Sequence, residues 1–213
     1  MSRRLSDHTK ELRKMGQGEG ADYKPYITTS EFNSLGTTSV IRDWKTGRDV
    51  HCMSQGEMLL YYILRWDDAN IDIREQFPLD YDETVKIAES IGVPAPKKIM
   101  TTDMLVTRDD GSYIAYSVKV SKNNLSKRQL ELLCVEKQYW LNHGAQYQLV
   151  FKTDLNPTLA ANVRLVTEFY DADRVFDTCS AVKHKISIKE YKFDMEHEVL
   201  NNNLMFDLLE DNL

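Results

Sequence analysis

The stretch "TTDMLVTRDDGSYIAYSVKV", residues 101–120, decides the fold. Two runs rich in β-branched and aromatic residues flank Asp109-Asp110-Gly111, which is the pattern of a β-hairpin. The first strand carries Asp103 and the second Lys119, each among apolar neighbours, where a charge is costly to bury unless it is paired or bound. Side chains alternate faces along a strand, so Ser117 and Lys119 share one face while Val118 and Val120 take the other. Register decides whether Asp103 joins them. A two-residue Asp110-Gly111 turn sets Asp103 opposite Val118; a three-residue loop with Gly111 left-handed sets it opposite Ser117. A slip of one residue destroys the arrangement. We adopt the odd-length loop, in which Asp103, Ser117 and Lys119 converge.

Working outward, "DIREQFPL" (72–79) reads as a strand that stops at Pro78. "SQGEMLLYYILRW" (54–66) is a helix, apolar through most of its length and so largely buried. "DETVKIAESIG" (82–92) is a short amphipathic helix, and "NNLSKRQLELLCVEKQYWLNHG" (123–144) is a longer one that stops at Gly144. "YQLVF" (147–151) is a buried strand. "NPTLAANVRLVTEFY" (156–170) starts a helix with Asn156 as cap and Pro157 in its first position. Residues 23–52 hold two short strands around Lys45-Thr46-Gly47-Arg48. Residues 1–22, broken by Gly16, Gly18 and Gly20, read as a flexible N-terminal segment. Residues 23–167 form the main domain. Residues 168–213 are polar and acidic, a small separate unit ending in a strand-like "LMFDLL". The sum is an α/β fold with helices on a central mixed sheet.

No apolar run reaches the length of a membrane span, and the first twenty residues are too polar for a signal peptide. Cys52, Cys134 and Cys179 are unclustered, which argues against a disulfide framework or zinc and for a reducing cytoplasm. Net charge is −6, but unevenly spread. Residues 97–152 hold nine Lys/Arg against five Asp/Glu, while residues 53–96 and 167–213 are each acidic. Such a chain touches phosphates locally, is a weak DNA binder alone, and needs a partner to bring it to DNA.

An acid and a lysine on one hairpin face suit metal-assisted hydrolysis of a phosphodiester: the carboxylate holds Mg²⁺ and the lysine orients water or offsets developing charge. The plainer reading is an incidental surface pair. Glu57 has two readings as well. Ser54-Gln55-Gly56-Glu57 fits a capping box, and the same carboxylate could be aimed at a metal. Glu136, on the helix after the hairpin, reads on composition as a solvated helical acid. Arg74, Glu75 and Gln76 could contribute to the site or pair with one another, and structural pairing is the favoured reading.

Several stretches carry a resemblance: "GQGEGADYKPYIT", "KTGRDVHCMSQGEMLLYYILRW", "DIREQFPL", "TTDMLV", "VKV" and "LELLCVEKQYW". In this order they resemble the TnsA family, the endonuclease subunits of Tn-seven-type cut-and-paste transposases. The resemblance covers residues 16–170 well and the tail weakly. It implies a restriction-endonuclease-like core with a small C-terminal winged-helix-like domain, of which "LNNNLMFDLLEDNL" resembles the final strand. It carries the family's catalytic acids and lysine onto Glu57, Asp103 and Lys119. The glutamate of the later helix falls on Glu136, in an outer position or on a second metal. The position two before the lysine usually offers Gln or an acid and is Ser117 here, a poorer ligand. The Val118 backbone carbonyl remains to complete a metal site with Glu57 and Asp103.

The implied function is an Mg²⁺-dependent endodeoxyribonuclease, with Mn²⁺ as substitute, cleaving the 5′ (non-transferred) strands at transposon ends. The implied partners are transposon-end DNA, the DDE transposase TnsB, and the AAA+ regulator TnsC through the C-terminal region. The implied setting is the bacterial cytoplasm, at the nucleoid when assembled. The shortness of the chain favours an RNA-guided element. The rival reading is a catalytically weak bridge between transposase and regulator, and a stand-alone nuclease is disfavoured by the low basic charge.

Overall fold

The computed structural model describes residues 5–31 and 37–210. Helix α1 (Asp7–Leu12) is followed by a two-stranded antiparallel ribbon, β1 (Ser39–Arg42) and β2 (Asp49–Cys52), turning through Lys45–Arg48 as expected. Helix α2 (Gln55–Trp66) leads to β3 (Asn70–Pro78) and α3 (Tyr81–Ser90). The hairpin forms β4 (Thr101–Arg108) and β5 (Tyr113–Lys119). Helix α4 (Lys127–Asn142) crosses over to β6 (Gln146–Phe151), and α5 (Pro157–Thr167), α6 (Thr178–Ser187) and α7 (Asn202–Glu210) follow.

The main sheet has the order β3-β4-β5-β6, antiparallel except for the parallel pair β5–β6 that the α4 crossover permits. It is the mixed sheet flanked by helices that the sequence led us to expect. One face packs on α2 and α5, through Met104, Val106, Tyr116, Val118, Leu60 and Val163. The other packs on α3 and α4, through Leu105, Ala115, Ile87, Val135 and Trp140. The local signals explain the helix ends. Ser126 and Gln129 form a reciprocal capping box at α4, which therefore starts at Lys127 rather than near residue 123. Asn156 caps α5 ahead of Pro157.

Three expectations need correction. The segment 5–22, read as a free lead-in, is packed. Lys10 of α1 is fully buried, donating to the Tyr26 carbonyl (2.7 Å) and pairing with Glu31 (3.1 Å). The chain then lines the outer edge of β3: Gly20 N–H donates to Asp72, Tyr23 hydroxyl to the Glu75 carbonyl, and Tyr26 N–H to the Gln76 carbonyl. An edge strand so covered offers no template for stray pairing. Second, β6 is an edge strand, mostly half-exposed rather than buried. Third, "LMFDLL" lies in helix α7, and no strand follows Phe151 among the described residues, so no wing is formed there. Asn162 of α5 holds the tail, donating to the carbonyls of Met195 and Glu198 and accepting from Leu200 N–H. Val182, Ile186, Met195, Leu200 and Met205 join the α2–α5 side of the core. No helix among the described residues is long and apolar enough to cross a membrane.

Candidate active site

The hairpin loop sets the site. Gly111 has φ +81°, its N–H donates to the Arg108 carbonyl (3.0 Å), and Arg108 N–H donates to the Ser112 carbonyl (2.9 Å). The loop is therefore Asp109-Asp110-Gly111, with glycine where a left-handed backbone is needed. Pairing from Thr107↔Tyr113 to Met104↔Tyr116 carries Asp103 to a place opposite Ser117, the odd-length register. The strands splay at that point. Val118 N–H donates to Asp103 Oδ2 (2.7 Å), and Lys119 Nζ lies 3.5 Å from the same oxygen while donating to the Val118 carbonyl (2.9 Å). Asp103 and Lys119 thus meet as the sequence suggested.

Glu57 arrives from the first turn of α2, where Ser54 caps the helix. Ser54 Oγ accepts from Glu57 N–H (3.2 Å) and donates to Glu57 Oε1 (2.9 Å), while Met53 N–H donates to Oε2 (2.8 Å). The same carboxylate is buried and close enough to Asp103 to feel its charge. Gly56 makes this approach feasible: a Cβ there would sit 2.8 Å from Val118 Cγ1 of β5.

Ser117 shares the Lys119 face, but its hydroxyl turns to α4 and donates to Glu136 Oε2 (2.6 Å). Glu136 is not the solvated acid that composition suggested. It is buried, and it also accepts from Thr102 Oγ1 (2.7 Å) and Tyr147 hydroxyl (3.4 Å), with Trp140 Nε1 donating in turn to Thr102 (2.6 Å). Arg74, Glu75 and Gln76 do not pair with one another. Glu75 accepts from Arg48 (2.7 Å), Arg74 lies 3.4 Å from Asp72, and Gln76 Nε2 donates to Glu57 Oε2 (3.2 Å). Thr102 is the contributor that sequence reasoning missed, and Gln76 takes the site contact rather than the favoured pairing.

The electrostatics follow from three acids gathered around one lysine. Burial, then the charge of Asp103, pushes the Glu57 carboxyl up to about 8 despite its hydrogen-bond donors. The same two causes push Glu136 up to about 7. Burial pulls the Lys119 ammonium down, but Asp103, Glu136 and Glu57 outweigh it and raise its proton affinity. A site whose acids retain protons and present oxygen donors suits a hard divalent cation that takes the place of those protons. Among the described residues no three acidic, histidine or cysteine side chains gather into a ready metal cage. The donors at hand are Glu57, Asp103 and the Val118 carbonyl, with remaining positions left to water, as Mg²⁺ prefers.

A cleft of about 800 Å³ opens beside Lys119 and Glu136, between α4 and residues 96–101. Lys97, Lys98 and Arg128 line it, together with apolar Ile99 and Leu132. Arg128 donates to the carbonyls of Pro94 (2.7 Å) and Ala95 (2.9 Å), clamping the loop to α4. The two exposed lysines therefore stand on a fixed wall next to the site.

Residues 67–152 match the family model of the TnsA-like endonuclease N-terminal domain. That span takes in Asp103, Ser117, Lys119 and Glu136 and starts after Glu57. Over 155 residues the chain is 35% identical to the transposon Tn7 transposition protein TnsA of Escherichia coli, a match covering 70% of this chain and 57% of that protein. The chain thus spans somewhat over half of that relative's length.

Proposed function

We propose, on the match of residues 67–152 to the TnsA-like endonuclease N-terminal model, that the chain is the Mg²⁺-dependent endonuclease subunit of a cut-and-paste transposase. It would cleave the 5′ (non-transferred) strand at each transposon end, beside a DDE transposase of the TnsB kind and under an AAA+ regulator of the TnsC kind. The observation that carries this reading is the meeting of Asp103 and Lys119 (3.5 Å) at the ends of β4 and β5, flanked by the buried acids Glu57 and Glu136.

In this reading Asp103, Glu57 and the Val118 carbonyl hold the cation. Bound there, Mg²⁺ would supply positive charge to the phosphate and lower the pKa of a water. Lys119, kept protonated by its three acids, orients the attacking water and faces the developing phosphate charge. Glu136 keeps Ser117 and Thr102 in place and so fixes the ends of β4 and β5 that present Asp103 and Lys119. Lys97 and Lys98 on the cleft wall receive backbone phosphates of the strand being cut.

The test is strand-specific nicking of transposon-end DNA with purified partner subunits in Mg²⁺. Asp103→Ala should lower 5′-strand cleavage by roughly a thousandfold or more while the fold melts normally. Cleavage at the wild-type rate would remove the site assignment. The bridging alternative draws on Ser117, whose hydroxyl is committed to Glu136. It requires that complexes assemble with no nicks from the wild-type chain.

A further inference from the structure

We propose that Gln76 is the positioning residue of this site: from β3 its amide fixes the orientation of the Glu57 carboxylate opposite Asp103. This rests on the nuclease reading above and deepens it.

Three independent features single Gln76 out. Its backbone is left-handed, φ +50°, a conformation that glycine or asparagine takes more readily and that glutamine rarely adopts. It is 3% exposed. And β3 pairs with β4 at Glu75↔Met104 and again at Phe77↔Thr102, with Gln76 between them opposite Asp103 and outside the ladder. The twist there has a consequence for both faces. Glu75 accepts from Arg48 and from His51 N–H of the ribbon, whereas Phe77, two residues on, packs among the α3–α4 group. A regular strand would put residues 75 and 77 on one face. The flip aims the Gln76 side chain between the two.

Its polar atoms are committed at both ends. Nε2 donates to Glu57 Oε2 (3.2 Å), and Oε1 accepts from Thr101 Oγ1 (3.1 Å), so the hydroxyl fixes which way the amide points. The other two donors to Glu57, Met53 N–H and Ser54 Oγ, belong to its own helix turn. Gln76 supplies the hydrogen bond that ties the carboxylate to the main sheet, where Asp103 sits. A glutamine that merely filled space would not need a strained backbone; the strain is retained where it places an amide on a site carboxylate.

Gln76→Gly and Gln76→Asn both accept the left-handed backbone, and both lose the reach to Glu57. Mn²⁺ affinity is measured by calorimetric titration of the full chain, with thermal unfolding in EDTA as the check on folding. The Mn²⁺ Kd should rise roughly tenfold or more in either folded variant. Thr101→Val, which frees the amide without removing it, should give a smaller loss. Glu57→Gln is the reference. If it binds Mn²⁺ like wild type, the metal reading itself fails. If Glu57→Gln is weakened but the folded Gln76 variants bind as wild type, the assignment of Gln76 is overturned and the site reading stands.

Discussion

Two sets of buried charges in this chain are built alike and behave oppositely. In the first set each acid has its own cation. Asp43 takes a two-pronged contact from Arg65, both distances 3.1 Å, plus Lys45 N–H and Thr46 Oγ1; Glu75 takes Arg48, and Glu31 takes Lys10. Burial raises the Asp43 carboxyl, but Arg65 and the added donors outweigh it and hold it below the usual range. In the second set Asp103 pairs with Lys119 (3.5 Å), Glu57 and Glu136 have no ion pair among the described residues, and burial with the charge of Asp103 pushes both upward. Residue types and burial are similar, so the difference lies in charge balance. The first set is balanced in charge; its Asp43–Arg65 and Arg48–Glu75 pairs brace the ribbon against the helix and sheet, and Lys10–Glu31 closes the N-terminal segment. The second is balanced by retained protons that an added cation could displace, which is the property of a site rather than a brace.

The sharpest way to break that contrast is to remove one partner from each set. Arg65→Met leaves Asp43 buried without its cation, which costs about 3–5 kcal/mol. For a chain of this length that is a fall in Tm of roughly 10 °C or more by calorimetry. Glu57→Gln removes a repelled charge instead. The metal-free variant should melt at or above the wild-type temperature at pH 8.5 while losing nicking. If both variants lose stability alike, the two sets do not differ in kind.

A milder test uses pH. Glu57 and Glu136 have folded values of about 8 and 7, above those of the unfolded chain. Between the usual carboxylate range and pH 8 the native state therefore holds more protons than the unfolded one. Their stabilisation is full below the unfolded pKa, is lost as pH rises through the folded values, and is flat above them. In EDTA, the wild-type Tm minus that of Glu57→Gln should fall by a few degrees from pH 5 to pH 9. Asp43, shifted downward, titrates below this window. A difference that stays constant across it would show that Glu57 is not held proton-rich by the fold.

What was legible in the sequence were the parts set by local chemistry. The Asp-Asp-Gly turn marks the hairpin but allows two loop lengths; the odd-length one adopted above is the one present, and it sets the register. The start of α5 followed from Asn156 and Pro157. The parts that escaped are set by distant neighbours. Glu136 looks like any helical acid until Thr102, Ser117 and Tyr147, from three strands, close around it. Gln76 sits in a run that reads as an ordinary strand, and nothing local announces a left-handed glutamine. Lys10 is buried because Tyr26 and Glu31 fold back over it. The tail error was avoidable. Leu204, Met205, Leu208 and Leu209 pack on the core with helical spacing and Phe206 points out, whereas a strand would have alternated.

The smallest expected effect probes how α2 is seated. An alanine Cβ at position 56 would stand 2.8 Å from Val118 Cγ1 and 3.3 Å from Lys152 Cβ. Val118 is buried and branched and has little room to turn aside. Against this, replacing glycine by alanine in a helix gains about 1 kcal/mol of helix propensity. The two effects oppose each other, so the net change in stability of Gly56→Ala should be within about 1 kcal/mol. Function should respond more than stability does. The helix must move away from β5, carrying the adjacent Glu57 from Asp103, and a displacement of a few tenths of an ångström at a charged site lowers turnover. Nicking should fall several-fold with little change in Tm. A Gly56→Ala chain that melts higher and nicks at the full rate would show that close contact between α2 and β5 is not what holds Glu57 beside Asp103. The hydrogen bond from Gln76 would then remain as the tie between them.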